Sequence, residues 1–86
     1  MQVTVYSKDN CPFCDDAKWY LMERNVNFDE VKLNDEKERQ AFYMKMSWKT
    51  KQKISTVPQI VVLDGDKEIH YNGFSELKAR SLPVHA

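Results

Sequence analysis

Apolar and polar positions along the chain switch between a period of two and a period near 3.6, and the switches mark out its elements. Val3-Thr4-Val5-Tyr6 alternates, is β-branched or aromatic throughout, and stops at the turn-forming cluster Ser7-Lys8-Asp9-Asn10, which predicts a short first strand. From Pro12 to about Arg24 there is no Gly or further Pro. Ala17, Tyr20, Leu21 and Arg24 share one helical face there, and Pro12 suits a first helical position, so a helix is expected. Asn25-Val26-Asn27 breaks it. Phe28–Leu33 then alternates again, with Phe28, Glu30 and Lys32 set against Asp29, Val31 and Leu33, as a second strand. Strand, helix and strand in this compass imply a right-handed parallel crossover.

Asp35–Met46 is rich in helix formers, with Asn34 or Asp35 as N-cap and Ala41, Phe42 and Lys45 or Met46 along one stripe. Ser47–Ser55 carries Lys49, Lys51 and Lys53 around Trp48 with no clear period, and is compatible with a longer helix or with a loop. Gln59–Leu63 is a continuous apolar run, Asp64-Gly65 is a hairpin-turn dipeptide, and Glu68–Tyr71 resumes as a strand. Gly73 permits a sharp turn into a last short helix from about Ser75 to Arg80, ending before Pro83.

Composition narrows what such a chain can do. Its 86 residues suffice for one domain, residues 1–86, and a hydrophobic content of 42% with few Gly and Pro is that of a globular chain. Thirteen basic and thirteen acidic residues cancel, so no global field gathers nucleic acid or an anionic membrane, and neither is an expected partner. No apolar run approaches the roughly 20 residues of a membrane span, and Met1–Tyr6 lacks the features of a signal peptide. A cytoplasmic location is expected.

The two cysteines are Cys11 and Cys14, and a disulfide between them closes a loop too short to staple a domain. They are therefore read as chemistry. A thiol exchanges with a disulfide only as thiolate, and a cysteine at a helix N-terminus is acidified by unpaired backbone N–H groups and the positive end of the dipole. With Cys11 as N-cap and Pro12 as the first helical residue, the Cys11 sulfur can accept from the N–H of Phe13 or Cys14, and Cys14 lies beneath it. That spacing exposes one nucleophile and sets a resolving thiol behind it. Asp15 and Asp16 oppose thiolate formation, Lys8 and Lys18 offset them, and Cys11 is expected to be the more acidic thiol. A lone CxxC is also half of a tetrahedral zinc site, but His70 and His85, the two histidines, lack ligand spacing to complete it, so no metal is expected.

Tyr6-Ser7-Lys8 leading into Cys11-Pro12-Phe13-Cys14, then Thr56-Val57-Pro58-Gln59-Ile60, then Asn72-Gly73-Phe74-Ser75-Glu76-Leu77, together resemble a glutaredoxin over nearly the whole chain. The resemblance implies an α/β thioredoxin fold in the order β-α-β-α-β-β-α. Its four-stranded mixed sheet would have a parallel first pair and an antiparallel last pair, flanked by three helices. It also implies a cis Pro58, which is uncommon among X–Pro bonds in general and is a sharp structural expectation. A cis peptide there would turn the Val57 backbone outward beside Cys11, where it can pair with an extended thiol substrate.

What the resemblance implies about function is a dithiol thiol–disulfide oxidoreductase, with glutathione as co-substrate and no tightly bound cofactor. Cys11 attacks and Cys14 resolves. The glutathione site it implies includes Phe13, Thr56 and Pro58, with Val57 pairing to the cysteinyl backbone and Lys8 meeting a carboxylate. At Gly73 the last helix begins, and the N–H groups of Phe74 and Ser75 would take the γ-glutamyl carboxylate. Two departures stand out: the family usually has Gly-Gly before this helix and Asp at the position of Ser75, whereas this chain has Asn72-Gly73 and Ser75. The carboxylate that usually meets the glutamyl amine is missing, with Glu76 adjacent. Lys49, Lys51 and Lys53 are read as a solvated face, Trp19 and Trp48 as packing or partly exposed residues, and Tyr6 as structural. Expected partners are glutathione and disulfide-containing proteins, ribonucleotide reductase among them, met by a monomer. Two rivals remain, a redoxin served by thioredoxin reductase and a module that holds zinc or an iron–sulfur cluster on the CPFC thiolates.

Overall fold

The structure is a computed structural model and describes residues 1–83. Seven elements follow in chain order: β1 (Gln2–Ser7), α1 (Pro12–Glu23), β2 (Asp29–Lys32), α2 (Glu36–Thr50), β3 (Gln59–Asp64), β4 (Lys67–Asn72) and α3 (Phe74–Arg80). The strands lie side by side as β2-β1-β3-β4, with β1 parallel to β2 and antiparallel to β3, and β3 antiparallel to β4. This is the mixed thioredoxin-fold sheet expected from the sequence. Among the described residues no helix is long and apolar enough to cross a membrane.

Alternation along β1 and β3 splits the interior into two apolar clusters. Val3, Val5, Ile60 and Val62 point to one face and pack with Ala17 and Leu21 of α1, Leu77 of α3 and Tyr71 of β4. The Val61 side joins the second cluster, which holds Tyr43 and Met46 of α2, Ile54, Val57 and both cysteines. Tyr6 stacks on Phe42 at 4.4 Å between ring centroids, the structural role expected of it. The redox pair is thus seated at the margin of a hydrophobic core.

Three expectations are corrected and one open stretch is settled. On the buried stripe of α2, Phe42 and Met46 are placed as expected, Phe42 half-buried against the second cluster, but Tyr43 joins them with Ser47 and Thr50 half-buried, whereas Ala41 and Lys45 face solvent. Asp35 is the N-cap that sets this phase, its carboxylate accepting from the Glu38 N–H at 3.0 Å. Within the open stretch 47–55 the helix continues to Thr50 and ends on Lys51 in the left-handed conformation, φ 57°. The Ser47 hydroxyl then takes the Ile54 N–H at 2.9 Å and gives its own hydrogen to the Ile54 carbonyl at 3.2 Å, folding the chain back so that Ile54 is buried. The hairpin loop is Gly65-Asp66 rather than Asp64-Gly65, because Asp64 still pairs with Lys67 and Gly65 carries the positive φ of 63°. Arg24 closes α1 as an exposed cap instead of joining its buried face, and its guanidinium lies 3.5 Å from the Tyr20 ring centroid.

Candidate redox site

Cys11 ends the loop after β1. That loop is latched to the one after β2: Asp9 accepts from Lys32 Nζ at 2.9 Å and from Asn34 Nδ2 at 3.0 Å, and its N–H donates to Asn34 Oδ1 at 2.8 Å. The Lys32 ammonium accordingly holds the Asp9 carboxyl below its ordinary pKa. Asn10 turns the chain with φ 55°, a conformation asparagine tolerates, and delivers Cys11 as the N-cap of α1 with Pro12 behind it. Of the two capping geometries expected, the Cys14 N–H is the donor, 3.2 Å from Cys11 Sγ. The two cysteines are joined as a disulfide, their Cα atoms 5.2 Å apart. Cys11 is 7% exposed and Cys14 1%.

Directly across from Cys11 runs the segment Thr56–Gln59. The Val57–Pro58 peptide is cis, as expected, and the Val57 carbonyl oxygen lies 3.8 Å from Cys11 Sγ. Beside it opens a groove of about 310 Å³ lined by Phe13, Thr56, Val57 and Pro58 together with Asn72, Gly73, Phe74 and Ser75. Seven of the residues assigned to a thiol ligand from the sequence are therefore gathered into one depression. Phe13, 63% exposed, forms its outer lip.

Lys8 stands apart: it is exposed on the β1–α1 loop and is not part of the groove lining. Lys49 is paired with Glu68 at 2.7 Å, and Lys51 and Lys53 are exposed, so this basic stretch lies away from the groove too. Gly73 enters α3 with φ 93° and no capping side chain, and Ser75 is exposed at the groove. Glu76 is already bonded to Arg80 at 2.7 Å, so the carboxylate nearest Ser75 is committed elsewhere. Trp48 is 82% exposed and, like the rest of α2, does not line the groove.

The charges around the motif are partly neutralised from below. Lys18 reaches Glu30 at 2.8 Å and Asp15 at 3.6 Å, and the buried Ser7 hydroxyl donates to the same Glu30 oxygen at 2.7 Å. The hydrogen bond to Lys18 lowers the Glu30 pKa, and the same bond raises that of Lys18. Of the two basic residues expected to offset Asp15 and Asp16, Lys18 is the one engaged with Asp15.

Sequence reasoning missed the polar layer beneath the groove. Gln59 is fully buried and donates through Nε2 to the Thr56 carbonyl and to Asn72 Oδ1, each at 2.8 Å, while His70 Nε2 lies 2.6 Å from Gln59 Oε1. His70 is thus a partner of an amide in the fold, and burial lowers its pKa. The polar residues flanking Pro58 and Gly73 in the sequence were the available signal, but strand periodicity does not reveal a bond across β3 and β4. Among the described residues no group of three or more His, Cys, Asp or Glu side chains is placed to hold a metal ion, and His85 lies outside them.

Comparison with known proteins gives the same direction. The family model described as Glutaredoxin matches residues 3–68. Glutaredoxin 3 of Escherichia coli K12 is 33% identical over 60 residues, covering 70% of this chain and 66% of that protein, so the match spans just under two thirds of the relative's length. A glutaredoxin-like protein NrdH of Lactococcus lactis is 44% identical over 36 residues, covering 42% of this chain and 50% of its own. Among solved structures, glutaredoxin 1 of Francisella tularensis superposes with a TM-score of 0.77 at 38% identity, covering 92% of this chain and 90% of that one.

Proposed function

The chain belongs to the glutaredoxin family of thiol–disulfide oxidoreductases, and from that premise we propose that it reduces protein disulfides and glutathione mixed disulfides by a dithiol cycle driven by glutathione. The observation that carries this is the placing of Cys11 Sγ, capped by a helix N–H and 3.8 Å from the Val57 carbonyl, beside a groove of thiol-ligand size.

In the reduced protein the Cys11 thiolate attacks one sulfur of the substrate disulfide. An S–S bond forms to Cys11, and the other substrate sulfur leaves as thiolate and takes a proton. The Cys14 thiolate then attacks Cys11 Sγ, expels the second substrate thiol and restores the Cys11–Cys14 disulfide. Two electrons and two protons have moved to the substrate. Glutathione reverses the change in two exchanges: the first thiolate joins Cys11 and frees Cys14, and the second removes the first as glutathione disulfide. Val57 pairs with the cysteinyl backbone of the ligand, in the manner of an added strand, and the exposed Phe13 covers its apolar side. The resting place for the γ-glutamyl end is the start of α3 at Phe74 and Ser75.

The test is NADPH consumption with glutathione and glutathione reductase on a glutathionylated peptide. Turnover that vanishes in Cys11→Ser is the expected result, and no turnover by the wild-type protein refutes glutathione as reductant. A second reading, reduction by thioredoxin reductase, is favoured by one feature: Ser75 offers no carboxylate to a glutamyl amine, and Glu76 is held by Arg80. Substituting thioredoxin reductase in the same assay separates the two. The acceptor within the cell, for which a ribonucleotide reductase is our proposal, is tested by adding that enzyme in its oxidised form.

A further inference from the structure

Gln59 follows the cis Val57–Pro58 peptide and opens β3 with its side chain fully buried. A buried primary amide must find partners for two N–H donors and a carbonyl, or leave costly unpaired groups. Gln59 finds all three. One Nε2 hydrogen goes to the Thr56 carbonyl and the other to Asn72 Oδ1, both at 2.8 Å. With both hydrogens committed, Oε1 is an acceptor, so the His70 nitrogen 2.6 Å away carries its proton toward Gln59. Thr56 belongs to the cis-proline bank of the groove lining and Asn72 to the bank where β4 passes through Gly73 into α3, with Asn72 also the partner of Gln59 in the β3–β4 ladder. One amide therefore spans from bank to bank under the floor.

We propose that Gln59 is a positioning residue that fixes the separation of the two banks. It holds the Val57 backbone, which takes the substrate's cysteinyl unit, at a set distance from the start of α3, which takes the ligand's other end. This rests on the reading of the groove given above. An apolar side chain of equal volume would fill the same space, but it would tie nothing to Thr56 and would leave Asn72 held through the strand ladder without its side-chain bond. The role is in ligand affinity, since neither bank partner bonds to the sulfur of Cys11.

Steady-state kinetics on a glutathionylated peptide decide this with Gln59→Met, Asn72→Ala and the double variant. Each single change is expected to raise KM for the peptide about tenfold, the loss of one or two buried hydrogen bonds, with kcat within about twofold of wild type. The rate of Cys11 alkylation by iodoacetamide stays unchanged. Because both singles break the same bond, the double variant adds no more than about twofold to the worse single. An unchanged KM in the folded single variants overturns the proposal, as does a fall in kcat at constant KM or a fully multiplicative double variant. Should Gln59→Met not fold by circular dichroism, Gln59→Glu replaces it, keeping the shape and the acceptor for His70 while removing the paired amide hydrogens. A wild-type protein that works only with thioredoxin reductase refutes the glutathione reading alone, and the same KM and kcat comparison on an insulin disulfide then decides the role of Gln59.

Discussion

At the scale of single residues, the two sulfurs are sterically unequal, and only that of Cys11 accepts from the helix N-terminus. Cys14 is covered by the second apolar cluster, while Cys11 keeps a small opening beside Val57. Limiting iodoacetamide added to the reduced protein is expected to label Cys11 first, read by mass spectrometry. Cys14→Ser is expected to lose most of its reduction of insulin, and to keep a larger share of activity on glutathione mixed disulfides, because there free glutathione can stand in for Cys14 in releasing Cys11. The Lys18–Glu30 pair beneath α1 makes a different kind of contribution. Removing it with Glu30→Gln should cost roughly 1 kcal/mol in urea denaturation at neutral pH. Glu30 has a lowered pKa in the fold, so its stabilisation is present above the unfolded carboxylate range and is lost as pH falls through the folded pKa. Wild type and variant should therefore converge in acid.

Individual elements show why some of the molecule was legible in advance. The two strands that pair around the centre, β1 and β3, and the buried face of α1 announced themselves through period and β-branched content. CPFC and TVP marked the two sides of the site. The end of α2 was hidden because a lysine, not a glycine, takes the left-handed cap, and because Ser47 makes the bonds that fold back residues 51–54. On α2 the expected stripe holds at Phe42 and Met46 but not at Ala41, since Ala41 and Tyr43 have similar claims to burial until the sheet decides between them. The Gln59–Asn72–His70 layer was invisible for another reason: its members sit on neighbouring strands, 11 and 13 residues apart. It has a consequence for β4. Burial lowers the His70 pKa, so the unfolded chain binds a proton more readily than the folded one, and stability should decline as pH falls below about 6.5. Thermal melts from pH 7.5 to 5 should show that decline in wild type and a shallower one in His70→Gln. At the entry to α3, Gly73 has open space where a Cβ would go, yet φ is 93°. Gly73→Ala is thus expected to destabilise through the backbone alone, by about 1 kcal/mol or more, or to shift the start of α3 and raise KM.

Across the whole molecule, the sheet separates a core devoted to stability from one that also surrounds the disulfide. Val3, Val5, Ile60 and Val62 lean on α1 and α3, and the cysteines lean on α2. Substitutions in the first cluster should act on unfolding with little change in kcat of the protein that remains folded. Tyr43→Ala or Met46→Ala should do both, costing about 2–4 kcal/mol in stability and loosening the packing behind Cys14. Denaturation curves set beside specific activity distinguish the two classes. The sheet's outer limits carry a further implication. β2, the outermost strand on one side, reads Asp29-Glu30-Val31-Lys32 and is exposed along its length, and β4 on the other side begins Lys67-Glu68. A bare strand edge invites another chain to add to it, and ionised side chains along it make such stacking costly. The proposed gripping of an extended thiol substrate at one groove requires the sheet's two outer strands to refuse the same kind of guest. Exchanging Glu30 and Lys32 for valine should remove that refusal, and light scattering at high concentration would register the resulting assemblies.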